Sequence, residues 1–259
     1  MEIIKVRNAD YARYEELLLE RDGLRKEAYI THGMYVKEFG ELILGVFEKQ
    51  IACIRKKKQI AYYQKAINRG EAINQIEIDA LLAKEMADYQ RQLDEKIAEN
   101  DAAKSMTEIS ELDVLKIRKI YRKIAKQLHP DINPMTGKMP ELMELWNAVQ
   151  TAYRCNSLED MEQLELLTAS ALKRLGLGEL EIEVPDIGQK IHDVEEEISR
   201  IRSTDPYQYK FLLVDADAVA EKKKDLEEQK QGWTKYEQEL DDIMESLLKS
   251  GVKIIWAMK

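Results

Sequence analysis

Apolar residues recur at spacings of three and four along most of the chain, and this period predicts helices rather than strands. Between Tyr35 and Ile54 they form one face of a helix that continues to about Ile67. Asn68 and Gly70 follow, and both residue types tolerate the left-handed backbone that ends a last helical turn. The pattern therefore predicts a first long helix that ends near residue 68.

A second apolar stripe runs from Ile78 to Ile97 and is flanked by charge, as in a coiled-coil contact. The first 129 residues contain no proline, so long uninterrupted helices are permitted there. We predict that residues 1–104 form a helical hairpin whose two helices pack antiparallel.

The middle of the chain is divided by a loop. Residues 130–140 contain three prolines and a glycine, which forbid a continuous helix. The pattern predicts three short helices around and after this loop, at about 113–128, 141–154 and 158–175. We expect a small helical module over residues 105–170.

The last part of the chain has two further stripes, separated by a break at Pro206. The second stripe repeats every seven residues from Leu212 to Leu247 and includes Trp233, for which we expect a structural packing role. We predict a C-terminal coiled-coil hairpin over residues 171–259. Heptads leave open whether such helices pair within one chain or in a homo-oligomer. Nothing in the pattern indicates a sheet.

Composition narrows the class of protein. Of 259 residues 34% are charged, the formal net charge is −9, and only two are cysteines. Two cysteines cannot make a disulfide framework, so we expect a cytoplasmic protein. No stretch approaches the roughly 18 apolar residues of a membrane span, so no membrane partner is expected. The net negative charge argues against general binding to nucleic acid.

Signatures of enzyme chemistry are missing from the sequence. It contains no zinc-protease motif, paired-cysteine motif, glycine-rich phosphate loop or nucleophile elbow. Cys53 and Cys155 stand far apart, and we expect both thiols to be buried packing groups. We therefore predict no catalytic residues, no metal site, no cofactor and no enzyme activity.

One short helix concentrates positive charge. Its apolar positions, Ile117, Tyr121, Ile124 and Leu128, share one face. From Lys116 to Leu128 the remaining surface carries six cations and no anion: Lys116, Arg118, Lys119, Arg122, Lys123 and Lys126. In a chain of net charge −9, such a local surface suits an acidic partner, although a basic helix face is often only solvated.

This helix leads directly into His129, Pro130 and Asp131, which place two polar side chains on a rigid loop. Residues 117–131 as a whole resemble the J domain of DnaJ-type cochaperones. That family's second helix reads Ile-Lys-Lys-x-Tyr-Arg-Lys-Leu-Ala, followed by three residues and then His-Pro-Asp, and the spacing is kept here without a gap.

The next helix extends the resemblance, which covers about residues 110–165. The family's third helix carries an aromatic residue, an aliphatic residue three positions later and then Ala-Tyr, as do Trp146, Val149, Ala152 and Tyr153. The family's first helix is not recognisable here, so either Tyr89 to Ile97 takes its place or the module is a shortened variant braced by the coiled coils. The basic Gln-Lys-Arg element of the fourth helix is absent.

The resemblance implies a cochaperone that recruits a DnaK-type heat-shock chaperone and stimulates ATP hydrolysis by that partner. By the same resemblance, His129, Pro130 and Asp131 would engage the chaperone at its domain interface and linker. The basic residues would dock on its acidic surface, and these are Lys119, Arg122, Lys123 and Lys126. The long helical arms would hold a client protein that the sequence does not identify.

Two alternatives stay open at the level of sequence. The chain fits a coiled-coil structural or adaptor protein whose J-like module is degenerate and inactive. It also fits a nucleic-acid binder that uses the helix from Lys116 to Lys126, although one basic helix lacks the wider positive footprint expected of that class.

Overall fold

The computed structural model describes residues 9–105, 109–177, 186–249 and 254–255. Within these ranges the chain is almost entirely helical, which confirms the predicted all-α class. The helices of the described residues are α1 (Ala9–Asn68), α2 (Gln75–Lys104), α3 (Glu111–Leu128), α4 (Pro134–Lys138), α5 (Pro140–Arg154), α6 (Leu158–Arg174), α7 (Ile187–Ser203), α8 (Tyr209–Leu213) and α9 (Ala216–Lys249).

The predicted end of the first long helix is confirmed. Helix α1 ends at Asn68, and Gly70 follows with a φ of +67°, a conformation that costs glycine little because it has no Cβ. The carbonyl oxygens of Ala66 and Ile67 accept hydrogen bonds from the backbone N–H groups that follow the helix. The Asn-Arg-Gly sequence therefore supplies both the stop and the satisfied last turn.

The expectation that the chain has no sheet is wrong, because two short strands pair with each other. Strand β1 (Ile73–Asn74) pairs in parallel with β2 (Ile254–Ile255). Ile73 is fully buried in a cluster with Tyr63, Ile78 and Leu82. Two residues are too few to leave an alternating pattern in the sequence.

The chain divides into two compact units, each assembled from segments far apart in sequence. Unit 1 contains residues 1–32 and 107–210, and unit 2 contains residues 33–106 and 211–259. These units cut across the predicted boundaries at 104/105 and 170/171. Helix α1 contributes to both units, and α7 and α9, predicted as one C-terminal hairpin, belong to different units.

In unit 1, helices α3, α5 and α6 enclose a core that includes Tyr121, Trp146 and Met161. A second cluster joins the first part of α1 to α7 through Leu18, Val194 and Ile198. The two helices run parallel, since Arg13 pairs with Glu195 at 3.0 Å and Glu20 pairs with Arg202 at 2.7 Å. Ile132, just after the His-Pro-Asp sequence, is buried in this second cluster.

In unit 2, α2 packs antiparallel to the second part of α1, as predicted. Lys58 pairs with Glu85 at 2.6 Å, whereas Glu41, 17 residues earlier on α1, is contacted by Asn100 and Lys104, later on α2. A third helix, α9, packs along α1 through Phe39, Val46 and Leu226. Trp233 packs against this cluster, consistent with its expected structural role.

The expected burial of both cysteines is only half correct. Cys53 is buried, and its thiol donates a hydrogen bond to the Trp233 carbonyl oxygen at 3.5 Å. Cys155 is exposed instead, because it is the C-cap of α5 and lies beyond the face that the helix buries. A helical period fixes which face is buried only inside the helix, and a cap residue escapes it.

Candidate functional site

Helix α3 positions the site, and its ends are fixed by its own sequence. Ser110 accepts a hydrogen bond from the Asp113 backbone N–H at 3.1 Å and so caps the N-terminus. The buried face of α3 consists of Ile117, Tyr121, Ile124, Ala125 and Leu128, which contains the predicted apolar set.

Helices α3 and α5 pack antiparallel to each other. The Tyr121 ring stacks on Tyr153 with centroids 3.8 Å apart, and the His129 ring meets Trp146 edge-on at 4.8 Å. Later positions on α3 thus face earlier positions on α5. This packing places the end of α3, and with it the His-Pro-Asp sequence, over the aromatic core of the module.

The loop after α3 is held by hydrogen bonds that converge on His129. Its Nδ1 accepts the Asp131 backbone N–H at 3.0 Å, and its carbonyl oxygen accepts the N–H groups of Ile132 at 2.9 Å and Asn133 at 2.7 Å. The Asn133 side chain donates to the Gln127 carbonyl oxygen at 2.8 Å and so closes the loop. With Nδ1 as the acceptor, a neutral imidazole carries its proton on Nε2.

An arginine and an aspartate of α1 lie against the other side of the His129 ring. Nε2 of His129 lies 3.5 Å from Oδ2 of Asp22 and 3.1 Å from Nη2 of Arg21. The same Asp22 oxygen accepts a hydrogen bond from the Tyr121 hydroxyl at 2.7 Å. Arg21, Asp22, Tyr121 and His129 are all buried and form one connected network, the α1–loop network.

Charge is balanced inside the α1–loop network. Burial alone would raise the pKa of Asp22, but the hydrogen bond from His129 and the charge of Arg21 outweigh it and hold that pKa below its ordinary value. Burial would lower the pKa of Arg21, and the adjacent Asp22 raises it instead. Burial, with Asp22 next, raises the pKa of Tyr121. The carboxylate and guanidinium therefore remain charged, and the phenol stays a donor.

Asp131 and His129 differ sharply in exposure. The His129 residue is only 2% exposed, whereas the Asp131 side chain is 45% exposed and lies 3.5 Å from Nη1 of Arg21. Pro130 between them is partly exposed. The loop therefore turns one carboxylate toward solvent and keeps the imidazole inside.

The predicted basic residues lie on the outer surface of α3. Lys119, Arg122, Lys123 and Lys126 are all exposed. Two of them have acidic partners within unit 1: Lys123 pairs with Glu165 of α6 at 2.7 Å, and Lys126 pairs with Glu15 of α1 at 2.6 Å. The structure thus brings the predicted basic side chains and Asp131 to one helix and its adjoining loop.

Sequence reasoning missed Arg21 and Asp22, which complete the site from about 110 residues upstream. Neither of the two suggestions for a first helix included the start of α1, and Tyr89 to Ile97 belongs to unit 2. The available signal was weak: a charged pair, Arg21-Asp22, follows Leu17, Leu18 and Leu19 on a helix. A charged residue among apolar ones indicates a buried pair only when its partner is known.

No protein-family model, curated protein or solved structure matches the chain. Among the described residues, no group of three or more His, Cys, Asp or Glu side chains is arranged to hold a metal ion. Within the same residues, no helix combines the length and the apolar character needed to cross a membrane.

Proposed function

We propose that the chain is a J-type cochaperone that recruits a DnaK-type heat-shock chaperone and stimulates its ATP hydrolysis. The observation that carries the proposal is the His-Pro-Asp loop at the end of a basic helix, with the Asp131 carboxylate exposed and its backbone fixed by His129. The chain itself would catalyse nothing and hold no cofactor. Unit 2 would hold the client protein, and the setting would be the cytoplasm.

Asp131 is the residue proposed to act on the chaperone. A carboxylate on a rigid loop makes a strong charge-assisted bond because little freedom is lost when it meets a partner cation. Arg21 contacts it at 3.5 Å, a distance longer than that of a strong ion pair. A partner arginine therefore finds an oxygen with unused hydrogen-bonding capacity.

His129 is proposed as a positioning residue. Its ring accepts the Asp131 N–H and is enclosed by Arg21, Asp22 and Trp146, so its own contact with a chaperone would require opening this packing. Replacing it would displace Asp131 and weaken recruitment through geometry. This role differs from the direct contact that the family resemblance implies for the histidine.

Lys119 and Arg122 are proposed to steer the partner, with Lys123 and Lys126 as weaker contributors because both already pair with glutamates. Exposed charges chiefly change the association rate, and salt screens them. A chaperone that docks here should therefore present an acidic surface.

A direct binding measurement tests the proposal. The dissociation constant of a DnaK-type chaperone for the full chain should rise about three- to tenfold in Lys119→Glu, and also between about 0.05 M and 0.5 M NaCl. Lys173→Glu is the matched control, because Lys173 is exposed in the last turn of α6 and lies outside the predicted docking set. Equal effects of the two reversals, or no binding by a folded protein, would reject the proposal.

One observation favours the alternative function of a structural adaptor. The imidazole of His129 is buried in the α1–loop network and so fastens α1 to the module, which is a purely structural role. Under this alternative the folded chain binds no DnaK-type chaperone, and Lys119→Glu behaves like Lys173→Glu in every assay. The binding measurement above therefore separates the two functions.

A further inference from the structure

A cavity in unit 1 takes no part in the proposed chaperone contact. It has a volume of about 570 Å³, within the range of small-molecule sites. Its walls come from α1, α3, α5 and the segment after α7. Among the lining residues are four tyrosines, Tyr29, Tyr121, Tyr153 and Tyr207.

A buried lysine faces this cavity without a described acidic partner. Lys26 is only 7% exposed, and the contact described for its Nζ is the Tyr153 ring, 3.9 Å from the centroid. Within the described part of the chain, Lys26 forms no ion pair or hydrogen bond. Burial, with the charge of Arg118 next, lowers its pKa to about 8. A buried ammonium of this kind is costly to keep unless an anion joins it.

The acidic residues that line the cavity do not neutralise the charge of Lys26. Asp22 also lines the cavity, but its carboxylate is already contacted by Arg21, His129 and Tyr121. Asp205, on the segment after α7, also lines the cavity and is exposed.

Two arginines also line the wall: Arg25, which already pairs with Glu197, and Arg154. The Arg154 guanidinium lies 6.0 Å from the centroid of the Tyr29 ring, and Tyr29 itself is half exposed. The cavity therefore has two cations, Lys26 and Arg154, that rest on aromatic faces. Cations and aromatic faces together suit a ligand with one anionic group and one flat ring.

We propose that this cavity binds a small aromatic anion, a phosphate or carboxylate carried on a planar ring. Its charged group pairs with Lys26 and Arg154, and its ring lies against Tyr29, the lining tyrosine that is half exposed. Binding supplies a counter-charge that the described residues do not place on Lys26. The proposal does not depend on the chaperone function.

Thermal unfolding of the full chain with phenyl phosphate tests this site. At a concentration about 100 times the dissociation constant, the ligand should raise Tm by about 5 °C or more. Inorganic phosphate should raise Tm less, because it cannot use the aromatic wall. Equal stabilisation by the two probes would overturn the claim that the cavity recognises an aromatic ring. No stabilisation by either probe would overturn the claim that the cavity binds an anion.

Two substitutions in the cavity wall test whether the ligand binds there. Lys26→Met should lose at least about tenfold in affinity for phenyl phosphate, since it removes the buried charge and keeps the apolar stem. Arg154→Met should weaken binding by a similar factor, and because Arg154 is exposed this variant also serves if Lys26→Met fails to fold. Lys116→Met is the matched control, an exposed lysine on α3 that does not line the cavity. Unchanged affinity in both cavity variants, or an equal loss in the control, would overturn the assignment.

Discussion

Asp22 is contacted from three sides by groups of different elements. Arg21 on α1, Tyr121 on α3 and His129 after α3 all approach its two oxygens. A buried carboxylate is stable only when such donors are present. Removing one donor leaves the Asp22 charge less well stabilised by the donors that remain. The network therefore fixes the start of α1 on the module, and with it the backbone that presents Asp131.

Tyr121→Phe tests the strength of this network. The substitution removes the hydroxyl that donates to Asp22 at 2.7 Å and leaves the ring stacking intact. We expect a loss of about 1.5–3 kcal/mol in the free energy of unfolding, measured by denaturant titration, because the acceptor is charged and buried. Tyr62→Phe is the control, since the Tyr62 hydroxyl donates to the exposed carboxylate of Glu85. A loss no larger than that of the control would contradict this account.

The lowered pKa of Lys26 predicts that the stability of the chain depends on pH. Its pKa is about 8 in the folded chain against an ordinary 10.5, owing to burial and then Arg118. Between these values the unfolded chain binds more protons, so the free energy of unfolding should rise with pH relative to Lys26→Met. The expected rise is on the order of 2 kcal/mol between about pH 7 and pH 10, measured as a difference between the proteins. A flat difference would show that the amine is not desolvated.

A glycine allows helices α1 and α2 to approach each other closely. Gly40 of α1 lies so near Asn100 of α2 that an added Cβ would stand 2.2 Å from Oδ1 of Asn100. The glycine thus allows the two helices to meet closely, and the Asn100 amide donates to Glu41 at 3.0 Å. A glycine inside a long helix costs stability unless it has such a reason.

Gly40→Ala should lower the free energy of unfolding by about 1–3 kcal/mol, because the new methyl overlaps the amide of Asn100. Gly23→Ala, in the same helix, has nothing within 4 Å of the added Cβ and should instead stabilise by about 0.5–1 kcal/mol. Denaturant unfolding of both variants checks the pair. Stabilisation by both substitutions would contradict the close packing of α1 on α2.

Local signals predicted the elements more fully than the contacts between them. Asn68 and Gly70 end α1 through interactions within a few residues, so the sequence around them was sufficient. The partners of Arg21 and Asp22 lie about 100 residues away, and no periodicity encodes such a distance. The buried imidazole of His129 follows from those partners, and for that reason it also escaped prediction.

At the scale of the whole molecule, the heptad stripes predicted which face of a helix is buried but not which helix packs against it. Val194 and Ile198 on α7 pack with the start of α1 in unit 1, whereas Leu226 on α9 packs with Phe39 and Val46 in unit 2. A heptad pattern states that a helix has a seam, but any complementary helix can fill it. The predicted C-terminal hairpin assumed the neighbour in sequence, and the chain uses the long helix α1 instead.

In the proposed function, Asp131 is presented by the buried His129 and acts on a DnaK-type chaperone. Steady-state ATP hydrolysis by such a chaperone, measured with the full chain, tests this role most directly. Wild type and Glu162→Gln, which alters an exposed carboxylate of α6, should stimulate hydrolysis equally, and Asp131→Asn should abolish the stimulation. His129→Gln should reduce it, because Asp131 loses the acceptor of its backbone N–H. Stimulation that survives Asp131→Asn, or its absence with folded wild type, would contradict the account.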